Sequence, residues 1–476
     1  MSFIIYDVAF LIAFAAFVFF FLYTKRENLK REGLLFLYKA GWGIRIINAV
    51  GKKYKKTLKV FSYVSIACGY ILMAAMFYFF ARIVYVYATM PSIVREIKIP
   101  PITPLVPYLP QVFKLDFLPP FYFTYWIVII AIIAIFHEFS HGIFAAYNKI
   151  KIKSTGFGFF PFFLPIFLAA FVELDEKRMA KKSVHSQLAI LSAGTFANVL
   201  TAILFFGVLL VFFSLSFSPS GVIYDTYPYT TLGISAITSV NGIFVANPTY
   251  DKILELADRS ESNEIKSGSR GYILTKDSLQ QQKDGNNLIV YYDSPAIRAK
   301  LERIILAVNG KEITSVSALE KELAKFSPNE TITLTVGGED GTGYNRDITL
   351  GENPENKNKA WLGIGFYQQQ QKSGIMNKIY STLSSFKKSN VYYAPKFDGI
   401  SVFIYNLLWW LVLISISVAL VNMLPVGIFD GGRFFYLTIF ALTRSEKKAR
   451  IFFAISTYAI LFLIFIMMLF WILSLI

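Results

Sequence analysis

The chain has 476 residues, of which 55% are hydrophobic and only 16% are charged. Soluble domains carry about 25% charged residues, so a purely soluble enzyme or a disordered chain is excluded, and a single cysteine excludes a disulfide scaffold. Lys and Arg outnumber Asp and Glu by 47 to 31, a net charge of +16. In a chain this apolar we expect the basic excess in short loops between membrane spans, and we predict no nucleic-acid partner.

Six apolar runs are long enough to cross the ~30 Å hydrocarbon core of a lipid bilayer as helices. The first run has no basic segment before it and no clear cleavage site after it, so we predict an uncleaved anchor. The predicted spans are 3–23, 61–88, 121–147, 187–217, 403–424 and 451–476.

Basic residues concentrate in the loops 24–59, 148–186 and 444–450, whereas the loop 89–120 holds few. The positive-inside rule places the three basic loops in the cytoplasm and the N-terminus outside. We therefore predict an integral, multi-pass protein of the plasma membrane.

The third span contains the motif His137-Glu138-Phe-Ser-His141, which is HExxH. On a helix, positions i and i+4 share a face, so His137 and His141 can hold one Zn²⁺. Glu138 lies beside them and can take a proton from a water molecule as general base. Ionisable residues inside a membrane span are costly and are functional candidates by default.

Residues 156–172 are apolar, but Gly156, Gly158, Pro161 and Pro165 interrupt them. Prolines oppose a continuous helix, and non-helical backbone at membrane depth survives only against protein or a wet cavity. We expect a re-entrant loop or hairpin beside a functional site.

Residues 219–395 form the one long polar region. Two segments, 237–242 and 305–310, end in Val-Asn-Gly, a tight-turn signal, and helix-like runs follow at 249–257 and 317–325. With Ser294-Pro295-Ala296 upstream of the second, the region resembles PDZ domains over 291–366, and more weakly over 221–290. Tandem units and one unit with a large insertion both fit. The resemblance implies binding of peptide C-termini by strand addition, and a spacer domain is the alternative.

Two histidines need a third protein ligand and an open position for a catalytic metal. The segment Asn422-Met-Leu-Pro425-Val-Gly427-Ile-Phe-Asp430-Gly-Gly offers one. Pro425 and Gly427 should end the fifth helix near its cytoplasmic end, with Asp430 on non-helical backbone. His137 lies roughly 24 Å below the outer edge of the third span, so both halves of the candidate site reach the cytoplasmic leaflet.

Three motifs together resemble the site-2 protease family of intramembrane zinc metalloproteases: HEFSH at 137–141, AGTFAN at 193–198 and NMLPVGIFDGG at 422–432. The resemblance implies His137, His141 and Asp430 as zinc ligands and Glu138 as general base. It implies substrate binding by Asn422, and a substrate-binding or supporting role for Asn198. Thr195 stands where the family has proline.

The fold class expected is a polytopic α-helical membrane protein of six spans, with a re-entrant loop and an extracytoplasmic α+β PDZ-like region. The expected parts are 1–120, a two-span region; 121–218 and 396–476, two catalytic halves; and 219–395, the PDZ-like region. The leading function is cleavage of transmembrane segments of regulators or of remnant signal peptides. A non-catalytic adaptor is the alternative, and a prenyl-protein-type metalloprotease or a transporter fits the motifs less well.

Overall fold

The first part of the chain consists of helices and one small sheet. This computed structural model describes residues 3–32, 35–41, 43–97, 100–103, 105–115, 117–159, 168–257, 262–275, 278–279, 286–337, 342–367 and 385–475. The helices up to residue 216 are α1 (Phe3–Thr24), α2 (Ile44–Lys53), α3 (Lys55–Thr89), α4 (Pro91–Ile97), α5 (Leu109–Val112), α6 (Phe123–Tyr147), α7 (Glu176–Ala180) and α8 (Val184–Ser216).

A four-stranded antiparallel sheet joins two distant parts of this region. Its strands, in spatial order, are β1 (Leu29–Glu32), β2 (Leu35–Ala40), β3 (Ile152–Phe159) and β4 (Leu168–Leu174). Tyr38 lies opposite Phe157, and Thr155 lies opposite Val172. The described arms of the predicted 156–172 feature are thus paired strands, while its tip, with Pro161 and Pro165, lies outside the described residues. β4 is an edge strand of this sheet.

Residues 214–401 form a separate unit of mixed structure. Its helices are α9 (Tyr250–Leu256), α10 (Pro295–Arg298) and α11 (Val316–Leu323). Its strands are β5 (Phe217–Ile223), β6 (Tyr229–Gly233), β7 (Ser239–Val240), β8 (Ile243–Phe244), β9 (Ser262–Ser267), β10 (Arg270–Thr275), β11 (Asn287–Tyr292), β12 (Ile304–Val308), β13 (Lys311–Glu312), β14 (Thr331–Gly337), β15 (Gly343–Thr349), β16 (Gly351–Glu352), β17 (Ala360–Trp361) and β18 (Val391–Pro395).

Two six-stranded sheets organise this unit. The first runs β6-β11-β10-β9-β7-β8, and the second runs β15-β14-β12-β5-β18, with β13 paired to β12. The predicted Asn-Gly turns are present, since Asn241, Gly242, Asn309 and Gly310 all have positive φ. Because β5 precedes the first sheet and pairs with β12, the first sheet is inserted between two strands of the second.

Three helices complete the chain: α12 (Asp398–Asn422), α13 (Asp430–Thr443) and α14 (Glu446–Leu475). From residue 402 onward they belong to one compact unit with residues 1–213. Within the described residues, six helices are long and apolar enough to cross a membrane, namely α1, α3, α6, α8, α12 and α14. All six coincide with the predicted spans, because a sustained apolar run dictates a helix whose backbone polar groups are satisfied internally.

The core of this membrane unit brings the two ends of the chain together. One buried cluster includes Phe144 of α6, Ala189 of α8, Ala419 of α12 and Phe434 of α13. As predicted, the fifth apolar helix ends before Pro425. The expectation for Asp430 was wrong in one respect, because it is the first residue of α13 and Phe429 is the N-cap. The short turn between α12 and α13 suffices to restart a helix.

Candidate metal centre

Helix α6 places the HExxH motif on a buried face. His137 and His141 are both buried, and their Nε2 atoms lie 3.1 Å apart. The separation follows from the i, i+4 spacing, which places the two side chains one turn apart on the same face of the helix. Both ring nitrogens therefore face the same point.

Asp430 reaches that point from the first turn of α13. Its Oδ2 lies 3.4 Å from His137 Nε2 and 3.3 Å from His141 Nε2. Burial alone would raise the pKa of Asp430, but the neighbouring His141 and His137 lower it below the ordinary value of an aspartate. A carboxylate oxygen and two imidazole nitrogens are thus held together.

Two glycines after Asp430 permit this approach. A Cβ at Gly431 would lie 2.6 Å from Met423 Cα, and one at Gly432 would lie 2.7 Å from the Val426 carbonyl carbon. A larger residue at either position would push the start of α13 away from the turn. The Asp-Gly-Gly sequence is therefore a packing requirement of the site.

The far side of each imidazole is also bonded. His141 Nδ1 lies 2.7 Å from the carbonyl oxygen of Ile190, and His137 Nδ1 lies 3.1 Å from Asn198 Nδ2. A histidine that ligates through Nε2 carries its proton on Nδ1 and needs an acceptor there, which Ile190 supplies. Asn198 Oδ1 is buried without a partner among the described residues. A half-turn of the Asn198 amide brings Oδ1 to His137. There Oδ1 can accept the Nδ1–H proton of His137, as ligation through Nε2 requires.

Gly194 opens the space in front of the two histidines. A Cβ there would lie 2.7 Å from His137 Nε2 and even closer to His141 Nε2. Helix α8 thus passes directly against the ligand nitrogens and leaves a cradle that any side chain would fill. Thr195 continues α8 without a break and donates its hydroxyl to the Ser192 carbonyl over 3.0 Å.

Glu138 is held by the small sheet. Its Oε2 accepts a hydrogen bond of 3.0 Å from the backbone N–H of Val172 in β4. This contact orients the carboxylate beside the candidate ligands, and it ties β4 to the HExxH turn.

Two cavities open on the site. One, of about 370 Å³, is bounded by α6 and α12 and contains His137, Glu138, Asn422 and Asp430 among mainly apolar residues such as Leu105. The other, of about 480 Å³, shares Glu138 and Asp430 but is lined by charged groups. These charged groups are Lys153, Glu173, Glu176 and Arg433.

Ion pairs order the charged cavity. Arg433 Nη1 lies 2.8 Å from Glu176 Oε2. The hydroxyl of Ser154 and the ammonium of Lys39 lower the pKa of Glu173, with Lys39 Nζ 2.9 Å from its Oε2. Glu173 is therefore ionised at neutral pH and links β4 to β2.

The structure brings together the residues that the motifs predicted. His137, Glu138, Asn422 and Asp430 line the first cavity, and His141 lines the second with Glu138 and Asp430. Asn198 is fully buried behind His137, which favours the supporting role over contact with substrate. Three contributors were not predicted individually: Ile190, Val172 and Gly194. Ile190 and Val172 act through backbone groups. Gly194 lies in the AGTFAN motif, but it contributes through the absence of a side chain, which the motif alone does not reveal.

These features define a multi-pass membrane protein with a His-His-Asp centre, in which the two histidines are buried and Asp430 is partly exposed, and with an adjacent glutamate. The model of peptidase family M50 matches residues 125–467, and the chain belongs to this family, that of the site-2 proteases. The family consists of zinc metallopeptidases, and membership supports an intramembrane metalloprotease. No curated protein matches the chain significantly.

Proposed function

We propose that the chain is an intramembrane zinc endopeptidase that hydrolyses peptide bonds in or near transmembrane segments. The observation that carries this proposal is the convergence of His137, His141 and Asp430 beside Glu138, next to a cavity bounded by two apolar helices. Membrane-bound regulators and remnant signal peptides are the substrate classes that we favour.

The residues present fit zinc. Two imidazole nitrogens and one carboxylate oxygen are a common catalytic set, which leaves an open position. The Gly194 cradle keeps space at the ligand nitrogens, and the Ile190 carbonyl fixes the His141 tautomer. Bound there, zinc would polarise the scissile carbonyl and lower the pKa of water toward ~7.

Glu138 carries the proton transfers. Its Oε2 is occupied by the Val172 N–H, which leaves its other oxygen to accept a proton from the attacking water. The same carboxyl then delivers that proton to the leaving amine. Asp430 would act as a ligand, and the proton transfers are assigned to Glu138 alone.

A helical substrate hides its peptide bonds in i→i−4 hydrogen bonds and has to unwind locally before it is cut. The edge of β4 supplies replacement bonds. In an antiparallel sheet, alternate residues point their backbone groups to the same side, so Ala170 shares the outer edge with Val172. Ala170 lines the apolar cavity with Glu138, which puts strand addition next to the reacting bond. Asn422, the last residue of α12, lines the same cavity and would hold substrate backbone.

In the topology that we favour, the site lies toward the cytoplasmic leaflet of the plasma membrane, with 219–395 outside. The basic loops 24–59, 148–186 and 444–450 support this orientation. There the PDZ-like region would filter substrates or bind new peptide C-termini. Reporter tags at residues 40 and 270 should be modified from opposite sides of the membrane, and modification of both from one side contradicts the topology.

The experiment that tests the function is cleavage of a single-span substrate in vesicles by the purified chain and by Glu138→Gln. Loss of general acid–base catalysis costs about 10²–10⁴-fold in rate. We expect the variant to keep its zinc and to cut more slowly by that factor, with products identified by mass. Equal rates for both proteins would remove Glu138 from the mechanism.

A further inference from the structure

We propose that Asp7, in the first apolar helix, is a positioning residue that caps the N-terminus of the HExxH helix from outside it. The family match begins at residue 125, so α1 and Asp7 lie outside the matched region. Asp7 is the only acidic residue of α1, and it is 1% exposed.

The hydrogen bonds of Asp7 are those of a helix cap. Its Oδ2 accepts from the backbone N–H of Phe123 over 2.7 Å, and its Oδ1 accepts from the N–H of Thr124 over 2.9 Å. The Thr124 and Tyr108 hydroxyls each add a bond of 2.5 Å. The first N–H groups of a helix have no partner within it, and leaving them unpaired in an apolar setting is costly.

Helix α6 has no cap of its own. Its N-cap residue is Tyr122, and no side-chain cap hydrogen bond is made there. A carboxylate is the favoured group at this end, because the helix dipole is positive there. Asp7, although distant in sequence, therefore supplies the acceptor oxygens that the Tyr122 side chain does not provide.

The cap acts on the site through a rigid helix. His137 lies roughly 20 Å along α6 from the capped turn at 1.5 Å per residue. The distances to Asp430, which is on another helix, depend on the axial position of α6. Anchoring the first turn to α1 sets that position.

A second contact from the same N-terminal region holds the other end of α6. Ile47 of α2 is fully buried, and its methyl groups lie against Gly142 of α6. Gly51 of α2 packs on Ala146, where a Cβ would lie 2.8 Å from the Ala146 Cβ. The N-terminal region, which lies outside the family match, thus contacts α6 both before and after the HExxH motif.

The test compares amide exchange and cleavage in full-length Asp7→Ala, in Asp7→Ala/Tyr122→Asp and in Asp7→Ala/Tyr122→Ala. Removing a helix cap destabilises the first turn enough to raise the equilibrium constant for its local opening by about three- to thirtyfold. We expect Asp7→Ala to speed exchange at residues 123–127 by that factor and to lower kcat more than it raises KM. Adding Tyr122→Asp should restore both, since the Tyr122 backbone already has the extended N-cap conformation. Adding Tyr122→Ala controls for the lost tyrosine ring and should restore neither.

Val18→Ala, at another buried position of α1, controls for loss of packing and should leave exchange at 123–127 unchanged. Unchanged exchange in Asp7→Ala would overturn the proposal. So would equal exchange and kinetics in Asp7→Ala/Tyr122→Asp and Asp7→Ala/Tyr122→Ala, because the new carboxylate would then restore nothing. The kinetic part rests on the proposed protease function, but the exchange part does not. If the variants show the expected exchange effects but the wild type cleaves no substrate, the result contradicts the proposed protease function and still supports the Asp7 cap.

Discussion

At the scale of single residues, the candidate site depends on a side chain that is missing. Gly194 lets α8 approach His137 Nε2 and His141 Nε2 so closely that a methyl group there would displace one of them. The imidazoles cannot retreat easily, because each Nδ1 is bonded on its far side. Gly194 is therefore as necessary to the geometry as the histidines.

Gly194→Ala should weaken zinc binding by more than about tenfold, the scale on which misplaced ligands lose affinity. Gly207→Ala is the matched control on the same helix, because a Cβ at that position meets nothing within 4 Å. Competition with a chelator of known affinity measures the difference. Equal zinc affinity in both variants would show that zinc binding does not depend on the absence of a side chain at position 194.

His137, Glu138 and His141 could be predicted from sequence, because HExxH is a local pattern and its geometry follows from helix periodicity alone. Asp7 was visible only as an acidic residue in an apolar run. Its partners are backbone groups 116 and 117 positions away, and no local pattern encodes such a contact.

At the scale of elements, β4 connects the small sheet to α6, the helix that carries the HExxH motif. Its inner edge pairs with β3, and its outer edge donates the Val172 N–H to Glu138. If substrate adds to this outer edge, a proline at position 170 removes one donor from it without touching the pairing to β3.

Ala170→Pro should lower the cleavage rate about threefold to tenfold, the net worth of one hydrogen bond. Zinc content should not change, because Ala170 belongs to the sheet and is not among the candidate ligands. Ala170→Val is the control, since valine keeps the N–H and favours strands. A proline variant that cuts as fast as the valine variant would exclude strand addition at this edge.

The six long apolar helices were predictable to within about six residues at each end, because a sustained apolar run at membrane depth favours a helix. Shorter helices such as α2 and α13 were not predicted. The sheet was predictable only in part. The glycines and prolines that interrupt the apolar run indicated a loop or hairpin at 156–172, but its pairing with residues 35–40 joins segments more than 100 residues apart. Such pairing is decided by tertiary packing, as was the helical position of Asp430.

At the scale of the whole molecule, two membrane blocks are separated in sequence by residues 214–401 and joined in one unit. The first block holds His137 and His141, and the second holds Asp430. Neither block has three ligands, so zinc binding requires both to fold together. The basic excess is concentrated in the short loops 24–59, 148–186 and 444–450. That these loops are cytoplasmic, and that the charge serves no nucleic-acid partner, stay predictions.

A single zinc centre built from both membrane blocks is best tested by measuring zinc content. The proteins compared are the purified chain, Asp430→Ala and the control Glu176→Ala, each after dialysis against a mild chelator. We expect about one zinc per chain in the wild type and in the control. Asp430→Ala should retain far less, because two histidines alone make a weak site. Full retention of zinc by Asp430→Ala, or its absence from a folded wild type, would contradict a single centre built from both blocks.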